Sequence, residues 1–288
     1  MPSPMQLALP SCFAPDRARV SAARLTAEFA GGRTILRRQQ VGYPWHLGRG
    51  FYLDADKPDL LTLYLQSASG GMYASDDLTF DVEVGTGAAL HLTTQAATLV
   101  HACRDAPALL RQHIHVAAGG FAALTNDPYI VFPDAELQLA TSAVVDPDGV
   151  LILADGFGAH RPTRFEGTFT RFSSELRVTR PDGSQLLLDR GTLRGADLGN
   201  AYDALGGAGA AGSVIVIAPA DRLPAPEVIE AAAERVGCFA GVSTAPNDAG
   251  YVVRMTAPDG GGMTRGLTAA FHVIAEAALG LPLAARRK

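Results

Sequence analysis

Residues 78–96 read LTFDVEVGTGAALHLTTQA, and the alternation within this segment indicates the architecture of the chain. From residue 78 to residue 84, apolar side chains alternate with polar ones, and the alternation resumes after the GTG turn at residues 85–87. A period of two places the apolar side chains on one face of a strand, and a glycine-rich break between two such runs marks a turn. The segment therefore predicts two β-strands, each with one face in a core.

The same alternation recurs through the first two thirds of the chain. It is found at residues 60–66, 111–118, 135–145, 149–155, 163–180 and 184–193. Clusters of Gly, Pro and Asp, such as DPDG at residues 146–149, separate these runs and are typical of turns. We therefore expect an all-β sandwich, barrel or solenoid, and we assign residues 1–210 to one β-rich core.

The last quarter of the chain differs in character. A buried strand is predicted at residues 213–219 and a strand pair at residues 241–258. One helix is predicted at residues 224–237, which have Pro near the start and Gly at the end. A second helix is predicted at residues 262–280, where apolar side chains recur every three or four positions. We expect residues 211–288 to form a smaller α+β part packed on the core.

Composition argues against several classes of function. The net charge of the 288 residues is −5 and the C-terminal Arg and Lys residues are the one basic cluster, so we expect no nucleic-acid partner. Prolines interrupt the apolar N-terminal segment, and no apolar run has the length of a transmembrane helix, so we expect a soluble, cytoplasmic protein. The sequence contains neither a P-loop nor a nucleophile elbow, which argues against nucleotide and serine hydrolases.

Two pairs of metal-ligating residue types lie two positions apart on predicted strands. His113 and His115 share one strand face, and so do His101 and Cys103. Two imidazoles on one face can share a divalent cation such as nickel or zinc, whereas the simpler interpretation is a solvated strand face. With a carboxylate such as Asp134, the histidines would form the three-ligand site of a metal-dependent β-sandwich enzyme. That enzyme is one alternative that the residues leave open.

Carboxylates at two places have both a structural and a functional interpretation. Asp76 and Asp77 follow a glycine-containing turn, where a carboxylate either caps backbone N–H groups or lines a polar channel. Glu166 shares a predicted strand face with Arg164, which most simply gives an ion pair. The residues alone favour the structural interpretation in both cases.

Polar and aromatic residues raise two further possibilities. The run LTTQAAT at residues 92–98 places the polar residues 93–95 on both faces of a strand, and burying them requires hydrogen-bond partners. An exposed platform of Tyr43, Trp45 and Tyr52 would suit a carbohydrate- or peptide-binding module. A half-buried anchor at a strand end is the simpler interpretation of Trp45.

Three longer segments carry a resemblance to a known family. The segment SGGMYASDDLTFDVEVGTGAALHLTTQAATLVHACRD (69–105) resembles the signature of urease accessory proteins of the UreD (UreH) family. LTNDPYIVFPDAELQLAT (124–141) and HRPTRFEGTFTRFSSELRV (160–178) are similar to two further elements of that family. The chain departs from the family where Ala74 and Ser75 replace two glycines before the conserved Asp, so this turn must take a more restricted conformation. A divergent paralogue with a repurposed binding role is therefore a further alternative.

The resemblance implies a fold and a role without catalysis. The fold is mainly β, a many-stranded β-helix-like or sandwich-like wrap with a smaller C-terminal α+β part carrying two helices. The implied role is that of a scaffold or chaperone for nickel insertion into the urease apoprotein, in a complex with a helical accessory protein of the UreF type and a GTPase of the UreG type. Nickel would be cargo in transit, with no cofactor of the protein's own. The implied lining of a metal passage or partner surface is Asp76, Asp77, Thr93, Thr94, Gln95, Arg161 and Glu166.

Overall fold

The computed structural model describes residues 18–103, 105–161, 167–198 and 205–286. Strands dominate these residues, and two helices lie near the C-terminal end: α1 (Pro226–Glu234) and α2 (Gly260–Leu279). The strands in chain order are β1 (Val20–Ala30), β2 (Arg33–Val41), β3 (Trp45–Leu47), β4 (Leu60–Ser67), β5 (Asp77–Val84), β6 (Ala89–Thr94), β7 (Leu99–Val100), β8 (Ala108–Val116), β9 (Phe121–Thr125), β10 (Tyr129–Val131), β11 (Glu136–Val145), β12 (Val150–Ala159), β13 (Arg171–Thr179), β14 (Gln185–Leu193), β15 (Ala210–Ile217), β16 (Phe239–Thr244) and β17 (Gly250–Ala257).

The strands form two sheets that face each other. The first sheet has the order β14-β13-β11-β8-β5-β1-β2, and the main path of the second is β16-β17-β15-β12-β9-β6-β4-β3. Between β4 and β13 the chain passes back and forth between the sheets, so neighbours such as β5 and β8, or β6 and β9, run parallel. The result is a stack of coils, and the predicted mainly β, β-helix-like wrap with two late helices is confirmed.

The alternation in the sequence explains how each strand is oriented. Every second residue of β5 from Leu78 to Val84 is buried between the sheets, whereas Asp81 and Glu83 lie on the outer face. Each buried Leu, Val or Phe side chain of this kind contributes about 1.5–3 kcal/mol through removal from water. The core between the sheets therefore holds the coils in register without a repeated sequence motif.

The two helices cover the outer face of the second sheet and form a second core with it. Helix α2 begins after Asp259, whose side chain accepts a hydrogen bond of 2.7 Å from the backbone N–H of Gly262. It ends at Gly280, which takes the left-handed conformation favourable to glycine. Phe271 and Ile274 on its apolar stripe are buried, which confirms the predicted orientation of the helix. None of the described helices is both long and apolar enough to cross a bilayer.

A buried ion pair attaches the C-terminal segment to the second sheet. Two nitrogens of the Arg286 guanidinium donate to the two carboxylate oxygens of Asp54 at 2.9 and 2.7 Å, and both side chains are almost completely buried. Arg286 Nε also donates to Nδ1 of His91 at 3.1 Å, and the His91 ring stacks on Phe271. Separating the pair would leave a buried charge without its partner, which is costly. The C-terminal segment is therefore held in place on the second sheet.

The observed strands differ from the predicted ones in number and in length. The predicted runs do not include β1, β2, β3, β7, β9 and β10. The single strand predicted at residues 163–180 is shorter, because β13 begins at Arg171 and residues 162–166 lie outside the described residues. Strand β9 was not predicted, although it lies in the middle of the second sheet. Strand β15 pairs with β12, so the strands of residues 211–288 extend the second sheet. The division of the chain at residue 210 stays a prediction.

Candidate functional site

Polar side chains occupy the interior face of the second sheet at one level. Asp155 on β12 and Ser213 on β15 are register partners, and the Ser213 hydroxyl donates a hydrogen bond of 3.1 Å to Oδ1 of Asp155. On the neighbouring strands, Asn126 follows β9, and its backbone N–H donates to the carbonyl oxygen of Ala154 at 3.2 Å. These side chains interrupt a face that is otherwise apolar.

The first sheet presents polar side chains to the same interior. Gln112 on β8 and Thr141 on β11 are register partners, and the Thr141 hydroxyl donates a hydrogen bond of 3.0 Å to Oε1 of Gln112. The residues that flank them on the inward faces are apolar, as Leu110 and Ile114 are on β8. We call the set from both sheets the polar layer: Gln112, Asn126, Thr141, Asp155 and Ser213.

Two cavities meet at the polar layer. The larger has a volume of about 500 Å³ and is lined by Thr94 and Gln95 as well as by apolar side chains. The smaller, of about 30 Å³, is lined by Asp155 and Ser213. Gln112, Leu124 and Asn126 line both cavities. The two cavities are therefore neighbours that share one wall, formed by these three residues.

Asp155 is deep in the protein but in contact with this space. Protein surrounds the carboxyl group, and the resulting desolvation raises its pKa above the ordinary value, an effect that the Ser213 hydrogen bond and the nearby charge of Arg254 oppose. The residue as a whole is nevertheless only partly buried, and it lines the smaller cavity. An interior carboxylate that borders a cavity is a group that can bind a cation transiently.

The polar layer approaches the surface at the edge of the sandwich. Arg254 on β17 is the register partner of Ser213 and forms an ion pair with Asp189 on β14, the edge strand of the first sheet. About half of the Arg254 side chain is exposed. Asp189 lines the smaller cavity together with Asp155. A series of polar groups thus leads from the interior to the outside.

Sequence reasoning missed the polar layer. Gln112 and Asp155 stand at positions of alternating strands where apolar residues are expected, and that mismatch is the signal that could have found them. Asn126 gave no such signal, because it follows a short strand that was not predicted. Ser213 gave none either, because it stands at the first position of the strand predicted at residues 213–219. The convergence of the five side chains of the polar layer depends on pairing between distant parts of the chain, which a single sequence does not reveal.

The structure places the predicted Asp76 in a buried ion pair with Arg19. Arg19 Nε donates to Oδ1 of Asp76 at 2.9 Å, and the backbone N–H of Tyr73 donates to Oδ2 at 2.8 Å. Ser75 takes a left-handed conformation with φ of 64°, so a non-glycine residue here keeps a backbone conformation that favours glycine. Asp77 lies at the surface in an ion pair with Arg111. Both carboxylates therefore have structural partners and lie apart from the polar layer.

The predicted polar run at residues 93–95 divides between two sides of the second sheet. Thr93 is buried under α2, and its hydroxyl donates to the backbone oxygen of Thr125 at 2.6 Å. Thr94 faces the larger cavity, where its hydroxyl oxygen accepts from the backbone N–H of Asp127 at 2.9 Å. Gln95 is exposed and lines the same cavity. Thr94 and Gln95 thus join the candidate site, whereas Thr93 does not.

The remaining residues of the implied passage lie elsewhere. Arg161 is exposed just after β12. Glu166 lies outside the described residues. Trp45 packs against Phe80 with ring centroids 5.6 Å apart and lines the larger cavity, while Tyr43 is exposed. Trp45 is thus the half-buried strand-end anchor of the simpler interpretation.

The predicted metal pairs are not preformed metal sites. His101 stacks on Tyr73 with ring centroids 4.5 Å apart, and the Cys103 thiol donates to the backbone oxygen of His101 at 3.3 Å. Burial raises the pKa of Cys103, which disfavours the thiolate that a metal requires. His113 and His115 lie on the outer face of the first sheet. Among the described residues, no three His, Cys, Asp or Glu side chains are arranged to hold a metal ion.

The strand register also separates Asp134 from the histidine pair. Leu137, near the start of β11, is opposite Ala108, whereas Ser142 is opposite His113. Asp134 precedes β11 and therefore lies before the start of β8, whereas His113 lies in the second half of β8. The three-ligand arrangement that includes Asp134 does not form.

Comparisons with known proteins agree on one family. The sequence profile of the UreD urease accessory protein family matches residues 19–288. The chain is 54% identical over 288 residues to urease accessory protein UreD 3 of Bradyrhizobium sp. (strain ORS 278), covering 100% of both chains. It is 54% identical to UreD 1 of Bradyrhizobium sp. (strain BTAi1 / ATCC BAA-1182), with 96% of this chain and 98% of the relative covered. It is 39% identical to UreD 1 of Methylorubrum populi, with 96% and 94% covered. The chain therefore belongs to the UreD family of urease accessory proteins, which are maturation factors of urease and not enzymes.

Proposed function

We propose that the protein is a scaffold for nickel insertion into the urease apoprotein and that the ion crosses it through the polar layer. The observation that carries this proposal is the carboxyl group of Asp155, which lies between the two sheets and lines a cavity there. A core built for stability alone gains little from a carboxyl group whose charged form is disfavoured by burial. A cation in transit, by contrast, requires oxygen donors along its path.

The donors of the polar layer suit a moving ion. Amide, hydroxyl and carboxylate oxygens of Gln112, Asn126, Thr141 and Asp155 are hard ligands, and one carboxylate among neutral groups holds a divalent cation weakly. Thr94 and Gln95 continue the donors into the larger cavity. The proposed route therefore keeps these two residues of the sequence prediction and omits Asp76, Asp77 and Thr93.

The route requires a protein at each end. We propose that the urease apoprotein binds at one end and a helical accessory protein of the UreF type at the other, and that this protein brings a GTPase of the UreG type. Support for the partners comes from the family, whose members are named as urease accessory proteins. We further propose that the complex works in the cytoplasm.

Complementation tests the function. The chain is co-expressed with a urease operon from which the resident gene of this family is deleted, and urea hydrolysis and the nickel content of purified urease are measured. We expect activity to return together with about two nickel ions per active site, the number that a two-metal hydrolytic site holds. Normal expression of the chain with inactive, nickel-free urease would contradict the proposal.

A further inference from the structure

Two imidazoles and two carboxylates form a group on the outer face of the first sheet. Asp81 and Glu83 lie on β5, and His113 and His115 lie on the adjacent parallel strand β8. Asp81 is the register partner of His113, and Glu83 is the register partner of His115. The residues between them on both strands are buried, so all four side chains emerge on the same side.

Strand geometry brings the four side chains within reach of one ion. Neighbouring strands are about 4.8 Å apart, and residues two apart on a strand are separated by about 6.6 Å. The four Cβ atoms therefore mark a small rectangle, and imidazole and carboxylate side chains are long enough to meet above its centre. A surface hollow of about 400 Å³ is lined by the four residues.

Two potential ligand groups in this hollow lack partners. Oδ2 of Asp81 accepts a hydrogen bond of 3.0 Å from Nε of Arg24, but Oδ1 is shielded from solvent and has no hydrogen-bond partner within the described residues. His115 is half-buried, and within the same residues its imidazole makes no hydrogen bond, ion pair or ring contact. Shielded polar atoms without partners are costly, and a bound cation would remove that cost.

The other two side chains are compatible with metal binding. Nδ1 of His113 lies 2.8 Å from the hydroxyl oxygen of Ser142. When Nδ1–H donates to Ser142, the lone pair of Nε2 is available for a metal, which is the usual orientation of a ligating histidine. Glu83 is exposed and makes one long contact of 3.4 Å with Thr26, so its carboxylate can turn at little cost.

We propose that Asp81, Glu83, His113 and His115 bind one divalent transition-metal cation, Ni²⁺ or Zn²⁺. Mixed imidazole and carboxylate donors favour these ions over Mg²⁺ and Ca²⁺, which prefer oxygen ligands alone. The side chains do not yet converge, so binding requires rotation of His115 and Glu83 on a fixed backbone.

Charge in the hollow limits the affinity of this site. Arg24 and Arg38 line the hollow together with the two carboxylates, so the positive charge of the arginines partly offsets the negative charge of the carboxylates before an ion binds. Arg24 remains bound to Oδ2 of Asp81 while Oδ1 serves as the ligand. The site lies on the face of β8 opposite Gln112, so it is separate from the polar layer and is not required by the proposed function.

Calorimetric titration of the full-length chain with NiCl₂, ZnCl₂ and MgCl₂ tests this site. We expect His113→Ala and His115→Ala each to lower the affinity of one Ni²⁺ or Zn²⁺ site at least about tenfold, and Ser142→Ala to lower it by about tenfold through His113. The matched control is His46→Ala, an exposed histidine on β3 that should change nothing.

The double variant His113→Ala/His115→Ala should lose one bound ion per chain. Thermal unfolding followed by circular dichroism checks that it remains folded. A folded double variant with the same number and affinity of Ni²⁺ and Zn²⁺ ions as the parent would overturn the proposal. So would equal binding of Mg²⁺ at this site.

Discussion

The Ser213 hydroxyl donates a hydrogen bond of 3.1 Å to Oδ1 of Asp155 between the two sheets. This contact opposes the desolvation that raises the pKa of Asp155, so it favours the charged carboxylate in the interior. Because Asp155 also lines a cavity, the same contact presents a carboxylate oxygen to the interior space. The buried Asp155 carboxylate therefore lowers the stability of the fold, and the same group is a candidate for binding a cation in transit.

Replacing Asp155 by Asn should stabilise the fold at neutral pH. The pKa of Asp155 is higher in the folded chain than in the unfolded chain, so its ionisation costs stability as the pH rises through the raised pKa, at about 1.4 kcal/mol per pKa unit. Asn keeps an acceptor for Ser213 but has no charge. Denaturant unfolding of Asp155→Asn and of the parent at pH values from about 3 to about 8 measures the difference. The control Asp148→Asn changes an exposed turn residue.

The stability advantage of Asp155→Asn should grow with pH and then level off. Below the pKa of Asp155 in the unfolded chain, the folded parent and the folded variant both carry a neutral group at this position, so the stability advantage of the variant should vanish. An Asp155→Asn variant that is less stable than the parent at pH 8 would show that the charged form is favoured by its surroundings.

Making the polar layer apolar should separate stability from function. In Gln112→Leu/Thr141→Val, both partners of one hydrogen bond are replaced by apolar groups of similar size, so we expect a change in unfolding free energy of about 1 kcal/mol or less. Nickel delivery to co-expressed urease should fall, because two oxygen donors of the polar layer are lost, and Gln112 lines both cavities. Unchanged nickel content in urease would place the route elsewhere.

Adjacent aspartates should differ strongly in their effect on stability. Asp76→Ala leaves the largely buried Arg19 and the backbone N–H of Tyr73 without their acceptor, and we expect a loss of about 2–3 kcal/mol. Asp77→Ala removes a partly exposed ion pair with Arg111, and we expect a loss of at most about 1 kcal/mol. Equilibrium urea denaturation of the two variants measures both values. Equal losses would contradict the structural assignment of Asp76.

The buried pair of Asp54 and Arg286 should be essential for the C-terminal segment. Asp54→Ala strands the Arg286 guanidinium and should cost about 3–5 kcal/mol. The double variant Asp54→Ala/Arg286→Met removes the stranded charge as well and should recover part of the loss. Urea denaturation of the single and double variants tests this coupling. A loss of unfolding free energy in the double variant that equals or exceeds the sum of the losses in Asp54→Ala and Arg286→Met would argue against coupling.

The sequence predicted individual strands better than their arrangement. Alternation identified β5 because it has one face in the core and the other on the sheet surface. It identified β6 although both faces of that strand are buried, because the polar His91 and Thr93 alternate with Leu90 and Leu92. Strand β9 was missed because FAALT is apolar at four successive positions and buried on both faces, so it shows no alternation. The parallel pairing of β5 with β8 could not be foreseen, because it depends on contacts between segments about thirty residues apart.

The candidate site was predicted only in part for a related reason. Thr94 and Gln95 belong to the resembling segment and do line the larger cavity. Asp76 belongs to it too, yet the ion pair with Arg19 could not be inferred, because Arg19 is 57 positions away. Asp155 was read as the end of an ordinary strand, and only the stacking of the coils shows that its side chain lies between the sheets.

Nickel loading of urease by an Asp155→Ala variant is the most informative measurement. Urease is co-expressed with the parent chain, with Asp155→Ala or with the exposed control Asp148→Ala under limiting nickel, and nickel per urease active site is measured after equal recovery of the accessory complex. We predict a loss on the order of tenfold for Asp155→Ala, the scale for losing a metal-site group, and no loss for Asp148→Ala. Full nickel content in urease matured with Asp155→Ala would contradict passage of the ion through the polar layer.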